Sequence, residues 1–155
     1  SSNGSPSWRA AEAEMGAPYS GSCNCGAVTA TIDAEPAWVR QCWCRQCQKA
    51  ASGSATTNAL FPSDAIKLTG EVRWNGYIAE SGNTIEQGFC PTCGTQIFGR
   101  NSARLGALVV RLGFIDPPHD LRPSSAIWLD EAPDWAKDGG TVELFPRQPP
   151  PPPAS

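Results

Sequence analysis

The sequence has few charged residues and no long apolar run, and each shortage excludes a class of protein. Charged residues make up 17% of the 155-residue chain, and the formal net charge is −3. Because there is no block of basic residues, we expect no surface for nucleic acid or for an anionic membrane. No apolar run reaches the roughly 18 residues needed to cross a bilayer. We therefore expect a protein without nucleic-acid or membrane partners.

Long helical patterns are also absent, whereas glycine and proline are abundant. The chain contains 15 of each, which is above average usage and typical of a chain rich in turns. This composition excludes a coiled coil or a bundle of long helices. The length suits one domain rather than two.

The two ends of the chain differ in composition from the middle. Residues 1–15 are mostly small and polar, and they lack the apolar stretch of a secretory signal. Because Met15 is the single methionine, we expect residues 1–15 to be a disordered or vector-derived leader and the protein to be cytoplasmic. Residues 148–155 form a proline-rich tail, which is extended and solvated or a ligand for a proline-binding domain. The expected domain is residues 16–147.

Short runs of β-branched and aromatic residues predict a mainly β fold. They predict strands over residues 27–33, 38–42, 56–61, 66–69, 72–79, 83–89, 95–98 and 108–112. Turn signals separate them, such as Asn75-Gly76 and Asp116-Pro117-Pro118. Only two short helices are expected, over residues 45–51 and 131–137. The pattern therefore favours short antiparallel strands with one or two short helices.

Seven cysteines fall into three groups with the spacing of metal ligands. The groups are Cys23 with Cys25, then Cys42, Cys44 and Cys47, then Cys90 with Cys93. The third group lies in a C-P-x-C-G knuckle, where Gly94 permits the positive φ that turns amides toward the sulfurs. The first and third groups together supply four thiolates, which complete a tetrahedral zinc site. Such a closed site is structural and contributes folding free energy.

The middle group has three thiolates within six consecutive residues. Three protein ligands leave one zinc position open, which is typical of catalytic rather than structural zinc. The partition into four and three predicts two zinc ions per chain. The alternative is a second structural zinc, closed by a carboxylate or by His119, the single histidine.

Other uses of the cysteines are less consistent with the sequence. A disulfide framework suits a secreted protein, but no signal peptide is visible and seven is an odd number. An iron–sulfur cluster needs four ligands, so the middle group would need one from outside. A redox-active dithiol at Cys90 and Cys93 is a further alternative. Zinc binding accounts for all seven residues and is preferred.

The cysteine groups and the residues beside them resemble a known family. The motifs G-S-C-x-C-G at 21–26, C-x-C-x-x-C at 42–47 and F-C-x-x-C-G-T-x-I-F at 89–98 are similar to those of the glutathione-dependent formaldehyde-activating enzymes, which include the centromere protein V type. The resemblance implies a β-tent fold with a structural zinc at Cys23, Cys25, Cys90 and Cys93 and an active-site zinc at Cys42, Cys44 and Cys47. It also implies a carbon–sulfur lyase that acts on formaldehyde and glutathione.

This sequence departs from the family pattern at two positions. Trp43 and Ala126 stand where members of the family often have histidine. Because each change removes a proton-transfer group, we expect a divergent substrate, namely a small thiol or the adduct of a thiol with an aldehyde or related electrophile. A zinc ion at the middle group would hold such a thiol as a thiolate. The alternative is a non-catalytic binding module stapled by zinc.

Several residues near the middle group are candidates for contact with a substrate. Trp43, Arg45 and Gln46 are predicted to belong to the site, and Lys49 lies on the same turn. The basic residues would meet an anionic thiol, or else they are solvated helix residues. Arg111 is unusual within the apolar run L-V-V-R-L-G, and we expect it to point into a polar cleft. Trp43, Trp74 and Trp128 would wall a pocket or belong to the core.

Overall fold

Short strands dominate the computed structural model, which describes residues 15–139 and 142–153. The strands are β1 (Tyr19–Ser22), β2 (Thr29–Ile32), β3 (Trp38–Cys42), β4 (Thr56–Pro62), β5 (Ile66–Thr69), β6 (Arg73–Ile78), β7 (Thr84–Phe89), β8 (Gln96–Asn101), β9 (Ala107–Arg111) and β10 (Ser125–Ile127). The helices are α1 (Arg45–Ala50) and α2 (Asp134–Lys137), with 3-10 turns at Ser63–Ala65, Leu112–Phe114 and Leu129–Glu131. No helix of these ranges is long and apolar enough to cross a membrane. The predicted leader falls almost entirely on residues 1–14, outside the described ranges.

The strands form two sheets. The small sheet has the order β1-β2-β5, and the large sheet has the order β10-β3-β4-β9-β8-β7-β6. Neighbouring strands are antiparallel, except that β10 pairs with β3 in parallel. The prediction of a mainly β fold with short antiparallel strands and two short helices is therefore confirmed.

The hydrophobic core lies between the two sheets. Ile32 of the small sheet and Phe61 and Phe98 of the large sheet are almost fully buried. The ring of Tyr19 lies 6.0 Å from that of Phe61, and the ring of Phe98 lies 6.0 Å from that of Phe114. Burial of each large side chain contributes about 1.5–3 kcal/mol relative to an exposed one. Only one face of the large sheet is used in this way, which leaves its other face free to form a site.

Two strands were not predicted, because in each case contacts with other parts of the chain determine the structure. β1 contains Gly21, a poor strand former. A Cβ at this glycine would lie only 2.5 Å from the Phe114 ring, so the close approach of the ring to the backbone requires glycine. β10 has three residues and is paired on one side only. Its pairing with β3 is determined by tertiary contacts rather than by its own sequence.

A second, smaller cluster joins α1 to the C-terminal part of the domain. Trp43, Ala55 and Ala132 are buried together. The Trp43 ring meets the Trp135 ring edge to face at 6.0 Å. The Gln48 amide donates to the carbonyl of Trp43 at 2.6 Å and to that of Glu131 at 2.9 Å. These contacts fix the loop that carries the middle cysteine group.

Candidate functional site

The first and third cysteine groups meet, although 65 residues separate Cys25 from Cys90 in the chain. Cys23 and Cys25 follow β1, and Cys90 and Cys93 lie between β7 and β8. All four sulfur atoms lie within 4.8 Å of one another. The Sγ atom of Cys25 lies 3.6 Å from that of Cys23 and 3.8 Å from that of Cys90. Tetrahedral zinc with Zn–S bonds of about 2.3 Å requires sulfurs about 3.8 Å apart, so this donor set fits the ion.

Backbone amides support the sulfurs of this four-cysteine group. The amide of Val28 donates to the Cys23 sulfur at 3.2 Å, and the amide of Cys93 donates to the Cys90 sulfur at 3.5 Å. The second knuckle closes with a bond from the Gly94 amide to the Cys90 carbonyl, and φ at this glycine is +77°. A residue with a Cβ would be strained there. Both knuckles therefore present their sulfurs on turns suited to a metal.

Thr95 links the two knuckles and stabilises one thiolate. Its hydroxyl lies 3.2 Å from the Cys93 sulfur and accepts the Asn24 amide at 3.0 Å. The hydrogen bond from the Thr95 side chain, followed by that from its backbone, lowers the pKa of the Cys93 thiol to about 5. Cys93 is thus a thiolate at neutral pH.

The middle cysteine group is built by one strand end and one helix. Cys42 ends β3, Cys44 is the N-cap of α1, and Cys47 lies within α1. Their sulfur atoms lie within 4.8 Å of one another, and among the described residues no histidine or carboxylate joins the group. The Cys44 sulfur accepts the Cys47 amide at 3.3 Å, so a cysteine performs the capping role that serine often has. The group offers three thiolates and an open side.

The open side faces a cleft of about 350 Å³ on the large sheet. Trp38, Arg40 and Cys42 lie two residues apart along β3, so their side chains share this face of the sheet. Asn58 of β4 and Arg111 of β9 lie in the same row, because Arg40 pairs with Asn58 and Asn58 pairs with Arg111. The face that does not pack on the core is therefore the floor of the cleft. Further lining residues are Cys44, Gln46, Cys47, Tyr77, Ile78, Glu80, Arg104, Ile127, Trp128 and Glu131.

A buried hydrogen-bond chain runs from Arg111 to the middle cysteine group. Arg111 is 9% exposed, and its Nη1 donates to Asn58 Oδ1 at 2.5 Å. The Asn58 amide donates to the Thr56 hydroxyl at 3.0 Å, and the Thr56 side chain helps to lower the pKa of the Cys47 thiol. Gly99 makes room for the guanidinium, since a Cβ there would lie 3.2 Å from Arg111 Nη2. The chain of hydrogen bonds ends at Thr56, whose side chain influences the Cys47 thiol.

The three thiols share their protons unequally. Hydrogen bonds from Cys42 and Cys44, assisted by Thr56 and by the positive charge of Arg111, lower the pKa of the Cys47 thiol well below its ordinary value. The same contacts with Cys44 and Cys47 raise the pKa of the Cys42 thiol. Cys47 is thus the first thiolate of the group, and the other two protons leave when a cation binds.

Two arginines stack on one tryptophan at the wall of the cleft. The guanidinium carbon of Arg40 lies 3.7 Å from the centre of the Trp38 ring, and that of Arg104 lies 5.6 Å from it. Among the described residues, no carboxylate forms an ion pair with either arginine. Trp38 therefore carries two arginines that have no carboxylate partner among these residues.

The hairpin of β6 and β7 forms the opposite wall. Tyr77, Ile78 and Glu80 line the cleft from this hairpin. Burial, with the negative charges of the cysteine group, raises the pKa of the Tyr77 hydroxyl to about 12. Tyr77 therefore keeps its proton at neutral pH and can donate a hydrogen bond.

The structure separates the residues that were predicted to lie beside the middle group. Gln46 lines the cleft with the three cysteines, and Arg111 and Trp128 do so as well. Trp43 instead points into the small core cluster. Arg45 and Lys49 line a shallow depression on the other side of α1, and the Arg45 guanidinium donates to Gln48 Oε1 at 2.6 Å.

Two other residues considered from the sequence also lie away from the cleft. The Trp74 ring stacks on Phe98 and carries the Arg100 guanidinium at 3.9 Å. Nδ1 of His119 accepts the Leu121 amide at 3.1 Å, and His119 is not among the residues of either cysteine group. Closure of the middle group by this histidine has no support in the structure.

Sequence reasoning missed Trp38, Arg40, Asn58, Arg104 and Tyr77 as cleft residues. A signal existed for the first two, because a strand that ends in Cys42 places the residues two and four positions earlier on the same face. No comparable signal existed for Asn58 or Tyr77, which reach the cleft through strand register. Arg104 lies in the turn between β8 and β9.

Comparison with known proteins identifies a family and solved structures of similar fold. The family model described as glutathione-dependent formaldehyde-activating enzyme matches residues 18–131, which is most of the chain. A crystal structure of a Rhodobacter sphaeroides protein is similar with a TM-score of 0.53 and 21% identity, covering 69% of this chain and 98% of that chain. At that identity the likeness concerns the fold alone. No curated protein matches the chain.

Proposed function

Because the chain belongs to the glutathione-dependent formaldehyde-activating enzyme family, we propose that it is a zinc-dependent enzyme of the carbon–sulfur lyase class. Its substrate would be a small thiol of the glutathione type, or the adduct of such a thiol with an aldehyde. Two zinc ions per chain are proposed, a structural ion at Cys23, Cys25, Cys90 and Cys93 and an active-site ion at Cys42, Cys44 and Cys47.

One observation carries the proposal. The three sulfurs of the middle group have no fourth donor among the described residues, and all three cysteines line the cleft, with Cys44 the least buried. A group with three protein ligands and an accessible fourth side is typical of catalytic metal sites. The four-cysteine group contributes no residue to this cleft, which supports different roles for the two groups.

The residues of the cleft suit a reaction between a sulfur and a carbonyl carbon. A zinc ion bound by three thiolates would supply a position at which the substrate sulfur stays deprotonated. Cys42, Cys44 and Cys47 would hold that ion, and the bond from Thr56 would orient Cys47. Gln46, at the exposed surface of α1, lines the same cleft and would bind polar atoms of the substrate.

Tyr77 is the proposed proton donor. In the addition, a carbon–sulfur bond forms while the carbonyl π electrons move to oxygen, which takes up one proton. The Tyr77 hydroxyl, like that of an ordinary tyrosine, is protonated at neutral pH, and it lines the cleft opposite β3. It would donate its proton to the developing oxyanion and regain one from solvent, which took up the thiol proton when the sulfur bound; in the reverse reaction the same proton transfers run backward.

A non-catalytic binding module is the second candidate. It is favoured by the fact that no histidine lines the cleft among the described residues, since Trp43 occupies the position where the family often has one. In this case the cleft would hold a thiol ligand without turnover.

The test is an assay of adduct formation with the zinc-loaded protein. Glutathione is mixed with formaldehyde and with larger aldehydes, and formation of the thiohemiacetal is followed by NMR with and without protein. Acceleration that disappears in Tyr77→Phe, while thiol binding persists, supports the enzyme. Binding of the thiol without acceleration of any aldehyde supports the module and contradicts the enzyme.

A further inference from the structure

The pair of arginines on Trp38 lies close to the middle cysteine group. Arg40 and Cys42 are two residues apart on the same face of β3, so their backbones are about 6.6 Å apart at a rise of about 3.3 Å per residue. Arg104 approaches the same tryptophan from the turn after β8. The arginines and the three sulfurs thus line one cleft, so a single small ligand can contact both.

A second tryptophan, Trp74, also carries an arginine, but the charge of that arginine is paired with a carboxylate. The Arg100 guanidinium stacks on Trp74 at 3.9 Å, much as Arg40 stacks on Trp38 at 3.7 Å. Arg100, however, forms an ion pair with Glu86, with Nε 2.9 Å from Oε1. Arg40 and Arg100 stack in the same way, but of the arginines on these two rings only Arg100 has a carboxylate partner among the described residues.

The other charged residues of the cleft form no ion pair with these two arginines, although an ionised Cys42 thiol attracts Arg40. Arg111 is a third cation of the cleft, and its Nη1 donates to Asn58. The Glu131 carboxylate accepts the Arg45 amide at 2.6 Å, at the start of α1. Glu80 lines the cleft but forms no ion pair with an arginine.

Stacking leaves the hydrogen-bonding edge of a guanidinium free. A planar guanidinium that lies on an indole ring presents its N–H groups in the ring plane, where a carboxylate can accept two of them at once. Two guanidiniums on one ring are repelled by each other, and an anion between them removes that repulsion. The arrangement suits a carboxylate better than a neutral polar group.

We propose that Arg40 and Arg104, held on Trp38, form a carboxylate subsite in the cleft that selects thiols which also carry an acid group. This inference rests on the proposed function, because it assumes that the substrate sulfur binds at the middle cysteine group. In this proposal the two arginines determine which thiol binds, and the reaction itself takes place at the middle cysteine group.

The experiment compares two thiols of equal length, mercaptopropionate and its neutral counterpart mercaptopropanol. Binding of each is titrated by the thiolate-to-metal absorption bands of the cobalt-substituted protein. The proteins are the parent, Arg40→Gln, Arg104→Gln and the control Arg100→Gln, which removes an equally stacked arginine outside the cleft. Comparing ratios of dissociation constants between variants cancels the different acidities of the two thiols.

In the parent and in Arg100→Gln, we expect mercaptopropionate to bind at least about tenfold more tightly than mercaptopropanol, as one charge-assisted bond provides. We expect this ratio of dissociation constants to fall below about twofold in Arg40→Gln and to an intermediate value in Arg104→Gln. Equal binding of both thiols by the parent would overturn the carboxylate subsite while leaving thiol binding intact.

If neither thiol changes the cobalt spectrum, the proposed function fails, and a second measurement then decides the subsite separately. Glutarate, which has no sulfur, is titrated into labelled protein while the side-chain Nε–H signals of the arginines are followed by NMR. Movement of the Arg40 and Arg104 signals, with that of Arg100 unchanged, supports the subsite. Absence of movement overturns it.

Discussion

The two cysteine groups differ most in how much of the chain they join. The four-cysteine group connects loops of the small and the large sheet, with Cys23 and Cys90 buried. The middle group lies within six consecutive residues, and its sulfurs face a cleft. A metal bound by the first holds distant segments together, whereas one bound by the second adds little to the tertiary structure. The span of the ligands along the chain thus distinguishes a site for stability from a site for chemistry.

The largest effect is expected from loss of a buried sulfur that joins the sheets. Cys90→Ser should prevent native folding, because a structural zinc site provides about 10–16 kcal/mol and net stability is only about 5–15 kcal/mol. Circular dichroism melts and zinc content measure this. A cooperatively folded variant that binds one zinc at the middle group would contradict the structural role of the four-cysteine group.

The matching change in the middle group should spare the fold. Cys44→Ser removes one of three sulfurs but keeps an N-cap that can accept the Cys47 amide. We expect stability within about 1 kcal/mol of the parent, loss of one zinc equivalent, and a fall in thiol-dependent activity of more than about 100-fold, since even outer contacts of a metal site are worth 10–100-fold. Unfolding of this variant would assign the group a structural role instead.

A smaller and more selective effect is expected from Thr56→Val, which removes the hydroxyl that bonds Cys47. Zinc affinity of the middle group should fall by about 10–100-fold, with the four-cysteine group unchanged. Competition with a coloured chelator resolves the two sites. Thr57→Val, at the next position along β4, is the matched control and should leave both affinities as they are. Equal weakening of both sites in Thr56→Val would show that the effect is on overall stability.

The smallest effect concerns acid release of zinc from the four-cysteine group. Thr95 lowers the pKa of Cys93 to about 5. The Cys93 thiolate therefore stabilises the folded state fully at pH values above the pKa that this cysteine has in the unfolded chain. That stabilisation is lost as the pH falls through about 5. Thr95→Val should therefore raise the pH of half-release by up to about one unit, while Thr95→Ser should not. Zinc release is followed with an indicator dye as pH is lowered. An unchanged midpoint in Thr95→Val would assign the low pKa to other contacts.

Much of the fold follows from local sequence. Strands β3 and β5 lie where the β-rich runs predict them, and α1 differs by one residue at its end. β1 was missed because it contains Gly21, which has a low strand propensity. Glycine is needed there because the Phe114 ring of another segment lies against the backbone. β10 was missed because three residues carry no periodic signal.

The candidate site was less predictable than the fold, because residues that are close along the chain can point their side chains in different directions. Trp43 lies between two cysteines of the cleft but points away from it, since successive residues of an extended chain face opposite sides. Arg45 and Gln46 are adjacent, yet about 100° of helix rotation separates their side chains. Asn58 and Arg111 meet only through the register of β4 and β9.

The parallel pairing of β10 with β3 has a consequence for biosynthesis. Ile127 pairs with Cys42 and brings Trp128 and Glu131 to the cleft. During translation the chain emerges from its N-terminal side, so the middle cysteines leave the ribosome about 80 residues before this wall does. The nascent middle group is thus exposed to cellular thiols and metals, and it gains its cleft only when synthesis of the domain is nearly finished.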